Sequence, residues 1–134
     1  MLLTKECDYG VRIIRALSDN SKKKMFEICE TENIPNQYAY KILKKLENAG
    51  FLQIERGRYG GYRLAKPLNT FTLFDIIASI DSNIFVSECL RNDRLCSQKV
   101  VDGKTCTVHE ELERLQGLLI SKMQEKTMDK VLSG

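Results

Sequence analysis

The 134-residue sequence contains no apolar run that approaches the roughly 20 residues needed to cross a bilayer. Its first residues, Met-Leu-Leu-Thr-Lys-Glu, become charged after three positions, which is not typical of a secretory leader. Internal repeats and low-complexity tracts are also missing. An apolar fraction of 43% excludes a disordered or collagen-like chain. We therefore expect a globular protein of the cytoplasm that has no membrane partner.

Histidine is nearly absent, because His109 is the one histidine of the chain. A hydrolytic zinc enzyme of the His-Glu-x-x-His type is thereby excluded, and we expect no enzymatic activity. Five cysteines are present, which is an odd number for a disulfide framework. In a reducing cytoplasm, cysteines outside the core are more often metal ligands or redox thiols than disulfides. Metal binding is therefore the first hypothesis for any cysteine on a polar segment.

The charge is divided unevenly along the chain. Residues 1–66 contain 13 Lys and Arg against 8 Asp and Glu, which gives +5, whereas the remainder contains 8 against 10, which gives −2. A basic half is typical of a protein that binds phosphate groups, nucleic acid above all. Charge alone does not establish DNA binding, so this hypothesis requires a DNA-binding motif in the same half of the chain.

The first 50 residues predict three short helices. Thr4 caps the first, which runs to about Leu17, and the second stops near Asn33. The third has Pro35 in its first turn and is ended by Gly50. Two helices joined by a tight connection follow the helix-turn-helix plan. We expect the third helix to bury one apolar stripe, which consists of Tyr38, Ile42, Leu46 and Ala49.

A hairpin is predicted next, with strands at residues 51–54 and 62–65 around a glycine-rich turn. Thr72 and Asp75 then form a capping box for a helix through Ile80. The expected fold is mainly α with a small β-hairpin wing, which is a winged helix-turn-helix followed by a long C-terminal helix. We place the DNA-binding domain at residues 1–80, a cysteine loop at residues 81–106, and a dimerisation helix with its tail at residues 107–134.

The predicted third helix presents a polar and basic face opposite its apolar stripe. Such side chains can pair with base edges or phosphates in a major groove; they are Asn36, Gln37, Tyr40, Lys41, Lys44 and Lys45. In the wing, arginines flank glycines that allow close approach to a sugar-phosphate chain. The residues predicted to contact DNA there are Arg56, Arg58, Gly60, Gly61 and Arg63.

Three cysteines follow in the acidic half, in the spacing C-x6-C-x9-C-x2-H from Cys89 through Cys96 and Cys106 to His109. Three thiolates with one imidazole or carboxylate complete a four-ligand set for an iron-sulfur cluster or zinc. The positive end of the predicted helix dipole favours a neutral imidazole at His109. A cluster, structural zinc and redox-switching thiols all remain open. Cys7 and Cys29 lie on apolar helix faces and are expected to be core residues.

The last helix is predicted to open with a capping box formed by Thr107 and Glu110. It carries an apolar stripe at spacings of three and four residues, which on so long a helix needs a partner. The stripe consists of Val108, Leu112, Leu115, Leu119 and Met123.

The sequence resembles the Rrf family of winged-helix transcriptional regulators, of the iron-sulfur-binding type. The resemblance covers nearly the whole chain and is most specific in Arg56-Gly57-x-x-Gly60-Gly61-Tyr62-x-Leu64. Further matches are Leu3-Thr4 with Asp8-Tyr9, Ile34-Pro35 with Tyr38, Ile42-Leu43, and Leu46 through Gly50.

This resemblance implies a homodimer that binds a palindromic operator in double-stranded DNA, and a [2Fe–2S] or [4Fe–4S] cluster held by the three cysteines. The fourth ligand differs between members, being a His shortly after the third cysteine or an Asp of the first helix. His109 and Asp8 stand at those two positions. The function implied is transcriptional regulation by a cluster that senses redox, iron or nitric oxide status. A cluster-free thiol-switch regulator of the same fold, or an electron-carrier or cluster-delivery protein, is the alternative.

Overall fold

A computed structural model describes residues 3–91, 100–101 and 104–134, with side chains over residues 3–91 and 106–134. Six α-helices and two antiparallel strand pairs occur in these ranges. None of the described helices has the length and apolarity to cross a membrane. The elements are α1 (Lys5–Ala16), α2 (Met25–Glu32), α3 (Asn36–Asn48), β1 (Leu52–Glu55), β2 (Gly61–Leu64), α4 (Leu73–Ile80), β3 (Val100–Val101), β4 (Lys104–Thr105), α5 (Thr107–Gln124) and α6 (Met128–Ser133).

Helix α1 is the centre of the core and packs on α2, α3 and α4. It begins as predicted, because the Thr4 hydroxyl accepts a hydrogen bond from the Cys7 amide at 3.3 Å. At Gly10 the helix approaches α4 so closely that an added Cβ would lie 2.0 Å from Ile80 Cδ1. The two predicted core cysteines are buried, Cys7 completely and Cys29 to 7% exposure.

Helices α2 and α3 meet at Asn33, whose left-handed φ of 53° turns the chain sharply. The buried residues of α3 are Ala39, Ile42, Leu43 and Leu46. The prediction that Tyr38 is buried was wrong, because its side chain is 36% exposed. Ala39 and Leu43 extend the inward stripe on its other side, which rotates Tyr38 to the margin, where its ring lies 5.8 Å from that of Tyr9.

The wing is the antiparallel pair β1–β2, in which Leu52 faces Leu64 and Glu55 faces Gly61. A third short segment joins it, because the backbone of Lys23 exchanges two hydrogen bonds with that of Tyr62 (2.9 and 2.7 Å). The wing is therefore attached directly to the turn that precedes α2. This arrangement confirms the predicted winged helix-turn-helix.

Helix α4 begins with the predicted capping box, in which the Thr72 amide donates to the Asp75 carboxylate at 2.8 Å. The cysteine segment (residues 81–106) was predicted to be a loop, but its described residues include regular secondary structure. It contains a 3-10 turn at Glu88–Leu90 and the antiparallel pair β3–β4. Cys96 lies outside the described residues.

The capping box predicted at Thr107 was wrong, since Thr107 is the first residue of α5 and Cys106 occupies the cap position without a side-chain capping bond. In this single chain α5 buries none of its residues. The predicted tail forms α6, which returns to the winged domain. Its Met128 is fully buried, and the Met128 amide donates to Phe71 O at 2.9 Å.

Candidate functional site

The face of α3 opposite the core is polar and accessible. Burial of Ala39, Ile42, Leu43 and Leu46 on one side leaves Gln37, Lys41 and Lys44 near the middle of the other. Asn36 and Tyr40 are also exposed, the tyrosine to 64%. This helix therefore presents five of the six residues predicted to read DNA to solvent.

Lys45, the sixth, is held against the protein instead. Its Nζ donates to Glu6 Oε2 at 2.9 Å and to Ile80 O at 2.8 Å, and its side chain is 33% exposed. Lys41 Nζ donates to the other oxygen of Glu6 at 2.7 Å. The hydrogen bonds from Lys41 and Lys45 lower the pKa of the Glu6 carboxyl. One carboxylate of α1 therefore binds two basic side chains of α3.

The wing turn projects Arg56 and Arg58 into solvent. Two glycines permit its shape: a Cβ on Gly60 would lie 2.2 Å from Glu55 O, and one on Gly61 would lie 2.8 Å from Lys23 O. Both contacts are with backbone, so neither position can easily accept a larger residue. The turn itself therefore requires glycine at these two positions, and their contact with DNA stays a prediction.

Arg63 lies behind the wing tip, half-buried on β2. Its Nε is buried and has no hydrogen-bond partner in the described part of the chain. The structure therefore places Arg63 farther from open solvent than the two arginines of the turn.

Three accessible residues around this surface were missed in the sequence. Asn48 is exposed and follows Lys44 by one helical turn, a spacing that was visible in the sequence. Lys24 is exposed at the start of α2 and belongs to a run of three lysines. Tyr59 is 79% exposed beside the Arg58 guanidinium, whose carbon lies 5.7 Å from the ring centroid. These residues widen the accessible surface formed by α3 and the wing.

The cysteine site is built on two neighbouring elements. Cys89 lies on the 3-10 turn, half-buried, and its thiol donates to the Ser87 hydroxyl at 3.4 Å. Cys106 is half-buried at the start of α5, where His109 lies in the first turn. Both thiols are free of disulfides. The His109 Nδ1 atom is buried and lacks a hydrogen-bond partner in the described part of the chain.

The residues described here do not by themselves form a metal site. Among residues 3–91 and 106–134, no three His, Cys, Asp or Glu side chains are placed so that they could bind a metal ion together. Cys96, the remaining predicted ligand, falls outside those ranges. Asp8 is half-exposed, with its carboxylate 2.9 Å from the Arg12 guanidinium one turn along α1. In contrast, burial raises the pKa of the Cys29 thiol, which keeps it an unreactive core residue.

The arrangement defines a class: a winged helix-turn-helix DNA-binding protein with a long C-terminal helix. Residues 3–134 match the Rrf2 family, described as iron-dependent transcriptional regulators, and the chain belongs to that family. It is a transcriptional regulator that binds DNA, and its family is not one of enzymes.

Solved structures share the fold. The global cysteine regulator CymR of B. subtilis is similar with a TM-score of 0.77 and 22% identity, covering 97% of this chain and 95% of that one. The oxidized form of Staphylococcus aureus CymR has a TM-score of 0.77 and 18% identity, covering 100% and 98%. IscR of T. potens has a TM-score of 0.73 and 19% identity, covering 97% and 85%.

Proposed function

We propose that this regulator senses redox, iron or nitric oxide status through an iron-sulfur cluster that changes its affinity for a palindromic operator. Cys89, Cys96 and Cys106 hold the cluster, and His109 or Asp8 supplies the fourth ligand. The description of the family as iron-dependent supports an iron cofactor. The same fold in T. potens IscR is compatible with this proposal.

The observation that carries the proposal is the first turn of α5. A buried imidazole nitrogen that lacks a hydrogen-bond partner is costly unless something outside the described residues satisfies it. His109 Nδ1 is such an atom, and it lies three residues after the free thiol of Cys106. Thiolate with imidazole or carboxylate is a donor set that fits an iron-sulfur cluster. The described ligands therefore suit the proposed group.

When bound, such a cluster supplies a centre whose charge and composition change with oxidant, iron or nitric oxide. The chain itself supplies the connection to DNA. Cys89 follows α4, and the last carbonyl of α4, Ile80 O, accepts the hydrogen bond from Lys45 of the reading helix. A change in the position of the cysteine segment thus bears directly on the placement of α3.

DNA binding is assigned to α3, which enters the major groove, and to the wing, which contacts the adjoining backbone. The +5 charge of residues 1–66 attracts the duplex. A homodimer places two reading helices on the two halves of the operator. Its interface is assigned to α5, which leaves Val108, Leu115 and Leu118 between 41% and 64% exposed in the single chain.

Anaerobic purification tests the cofactor directly. We expect a coloured protein with visible absorbance and with iron and acid-labile sulfide in equal amounts, two or four of each per chain. Cys106→Ala should remove the colour, whereas Cys29→Ala, which alters a buried thiol on α2, should retain it. His109→Ala and Asp8→Ala then identify the fourth ligand, since one of the two should lose iron. A colourless anaerobic protein that contains zinc would contradict the proposal.

A thiol switch without a cluster is the second candidate, favoured by the two half-buried free thiols on adjacent elements and by the existence of an oxidized form of a protein with this fold. The two candidates differ in one experiment. A cluster-free protein should be colourless under anaerobic conditions, and its DNA affinity should change reversibly with hydrogen peroxide and dithiothreitol. Thiol alkylation before oxidation should abolish that change.

A further inference from the structure

The carboxylate of Glu6 neutralises two lysines of the reading helix. Its two oxygens accept hydrogen bonds from Lys41 Nζ at 2.7 Å and Lys45 Nζ at 2.9 Å. The Glu6 side chain is 26% exposed, and 35 residues separate it from Lys41 in sequence. The pairing is therefore a tertiary contact between α1 and α3 and not a local feature of one helix.

The two lysines differ in how firmly they are held. Lys45 has a second acceptor, Ile80 O, and is 33% exposed, so it keeps Glu6 in place beside α3. Lys41 is 57% exposed and lies near the middle of the DNA-facing surface. Lys44, also on that surface, is 53% exposed and lies 3.9 Å from the Glu47 carboxylate. Lys41 is therefore more exposed than Lys45 and closer to a carboxylate than Lys44 is.

Phosphate and an internal carboxylate compete for the same ammonium group. Each phosphate that a protein neutralises releases counterions and adds to the salt dependence of binding. A lysine already paired with a carboxylate adds less to the affinity and to its salt dependence, because the ion pair must separate before the lysine can bind phosphate. The Lys41 side chain is more than half exposed, and solvent weakens such an ion pair, so DNA phosphate can displace the Glu6 carboxylate at a modest cost.

We propose that Glu6 is a positioning residue that holds Lys41 against α1 and competes with DNA phosphate for it, which lowers the affinity of the regulator for DNA of any sequence. This inference rests on the proposed reading surface of α3 and extends it to α1. The consequence is weaker non-specific binding. Contacts to base edges then contribute a larger share of the affinity for the operator.

The test uses a fluorescein-labelled 30-bp duplex of random sequence, with anisotropy titrations between 50 and 200 mM KCl. Glu6→Gln should bind about three- to tenfold more tightly at 50 mM KCl than the wild type. Its salt slope should steepen by about half a unit to one unit per chain. The matched control is Glu111→Gln, which makes the same charge change on α5, where Glu111 pairs with Arg114 at 2.6 Å. An equal gain in DNA affinity for Glu111→Gln would overturn the inference, because the gain would then be a general effect of net charge.

Two lysine variants test the inference with Glu6 left intact. Lys44→Gln should lose about one unit of salt slope per chain, whereas Lys41→Gln should lose less than half of that. In the Glu6→Gln background the Lys41→Gln loss should rise to a full unit. An equal or larger loss for Lys41→Gln in the wild-type background would refute the competition.

The proposed function and the role of Glu6 fail in different ways. Wild-type protein that binds no duplex at any salt concentration would contradict both of them together. Wild-type protein that binds, with a Glu6→Gln variant of unchanged affinity and slope, would contradict the role of Glu6 alone. Circular dichroism melting of each variant verifies that the compared proteins are folded.

Discussion

Gln116 of α5 hydrogen-bonds to the backbone of Val86, whose amide donates to Gln116 Oε1 at 2.7 Å. The same side chain donates from Nε2 to Ile84 O at 2.7 Å. One amide group thus satisfies a donor and an acceptor of the segment that leads to Cys89. Because α5 begins next to Cys106, this contact fixes the two described cysteine-bearing elements relative to each other.

Replacing Gln116 by Ala should loosen that segment. Loss of about 1 kcal/mol of hydrogen bonding would accelerate hydrogen exchange of the Val86 amide about fivefold. Gln124→Ala, at an exposed position of the same helix, is the control and should leave that amide unchanged. NMR or mass spectrometry measures the exchange rate of the Val86 amide. Equal rates in the two variants would show that Gln116 does not hold the segment.

Two helical glycines should respond oppositely to alanine. Gly10→Ala places a Cβ 2.0 Å from Ile80 Cδ1, so the buried Ile80 side chain must move and repack at a cost of about 1–3 kcal/mol. Gly117→Ala on α5 meets no heavy atom within 4 Å and should stabilise the helix by about 0.5–1 kcal/mol. Thermal or urea unfolding measures both. A Gly10→Ala protein as stable as the wild type would contradict the close approach of the two helices.

The ion pair between Arg15 and Glu32 should lose more stability when the arginine is replaced than when the glutamate is replaced. Glu32 is 8% exposed, and its carboxylate accepts hydrogen bonds from Arg15 Nε at 3.1 and 3.2 Å. Arg15→Ala leaves that buried carboxylate without this partner and should cost about 1–2 kcal/mol. Glu32→Gln removes the charge itself and should cost less. Urea denaturation compares the two variants, and the reverse order would mean that burial of the Glu32 charge does not govern the stability of this pair.

The exposed apolar edge of α5 should control association. Leu115→Glu puts a charge on a side chain that is 41% exposed in the single chain and that the proposed dimer buries. We expect wild-type protein to sediment at twice its chain mass of 15.4 kDa and the variant at the chain mass. Ser121→Glu adds the same charge at an exposed position of the same helix and should remain a dimer. Wild-type protein that sediments at the chain mass at tens of micromolar would refute the interface.

Local chemistry made much of the fold predictable. Thr4 and the Thr72–Asp75 capping box begin their helices as predicted, and Gly50, with its φ of 83°, follows α3 in the expected left-handed conformation. Each of these features depends on a few neighbouring residues. The glycine-rich wing turn was predictable for the same reason.

What the sequence did not predict depends on packing between distant segments. Lys45 belongs to the polar face by helical spacing, yet it binds Glu6 and Ile80 because α1 and α4 lie beside it. Tyr38 lies at the margin of the buried face of α3, beside the ring of Tyr9, because Ala39 and Leu43 are buried on the other side of the stripe. The three-residue offset between Cys106 and His109 was visible, but the burial of His109 Nδ1 requires the surrounding structure.

In the proposed function, one site on the cysteine segment and α5 controls DNA binding by α3 and the wing. Anaerobic selection of genomic fragments provides the operator, after which its affinity is measured for a single preparation before and after iron removal by a chelator. We expect at least a tenfold change in operator affinity, absent in Cys106→Ala, with non-specific affinity nearly constant. Identical operator affinity for the iron-containing and iron-free protein would contradict control by the cluster.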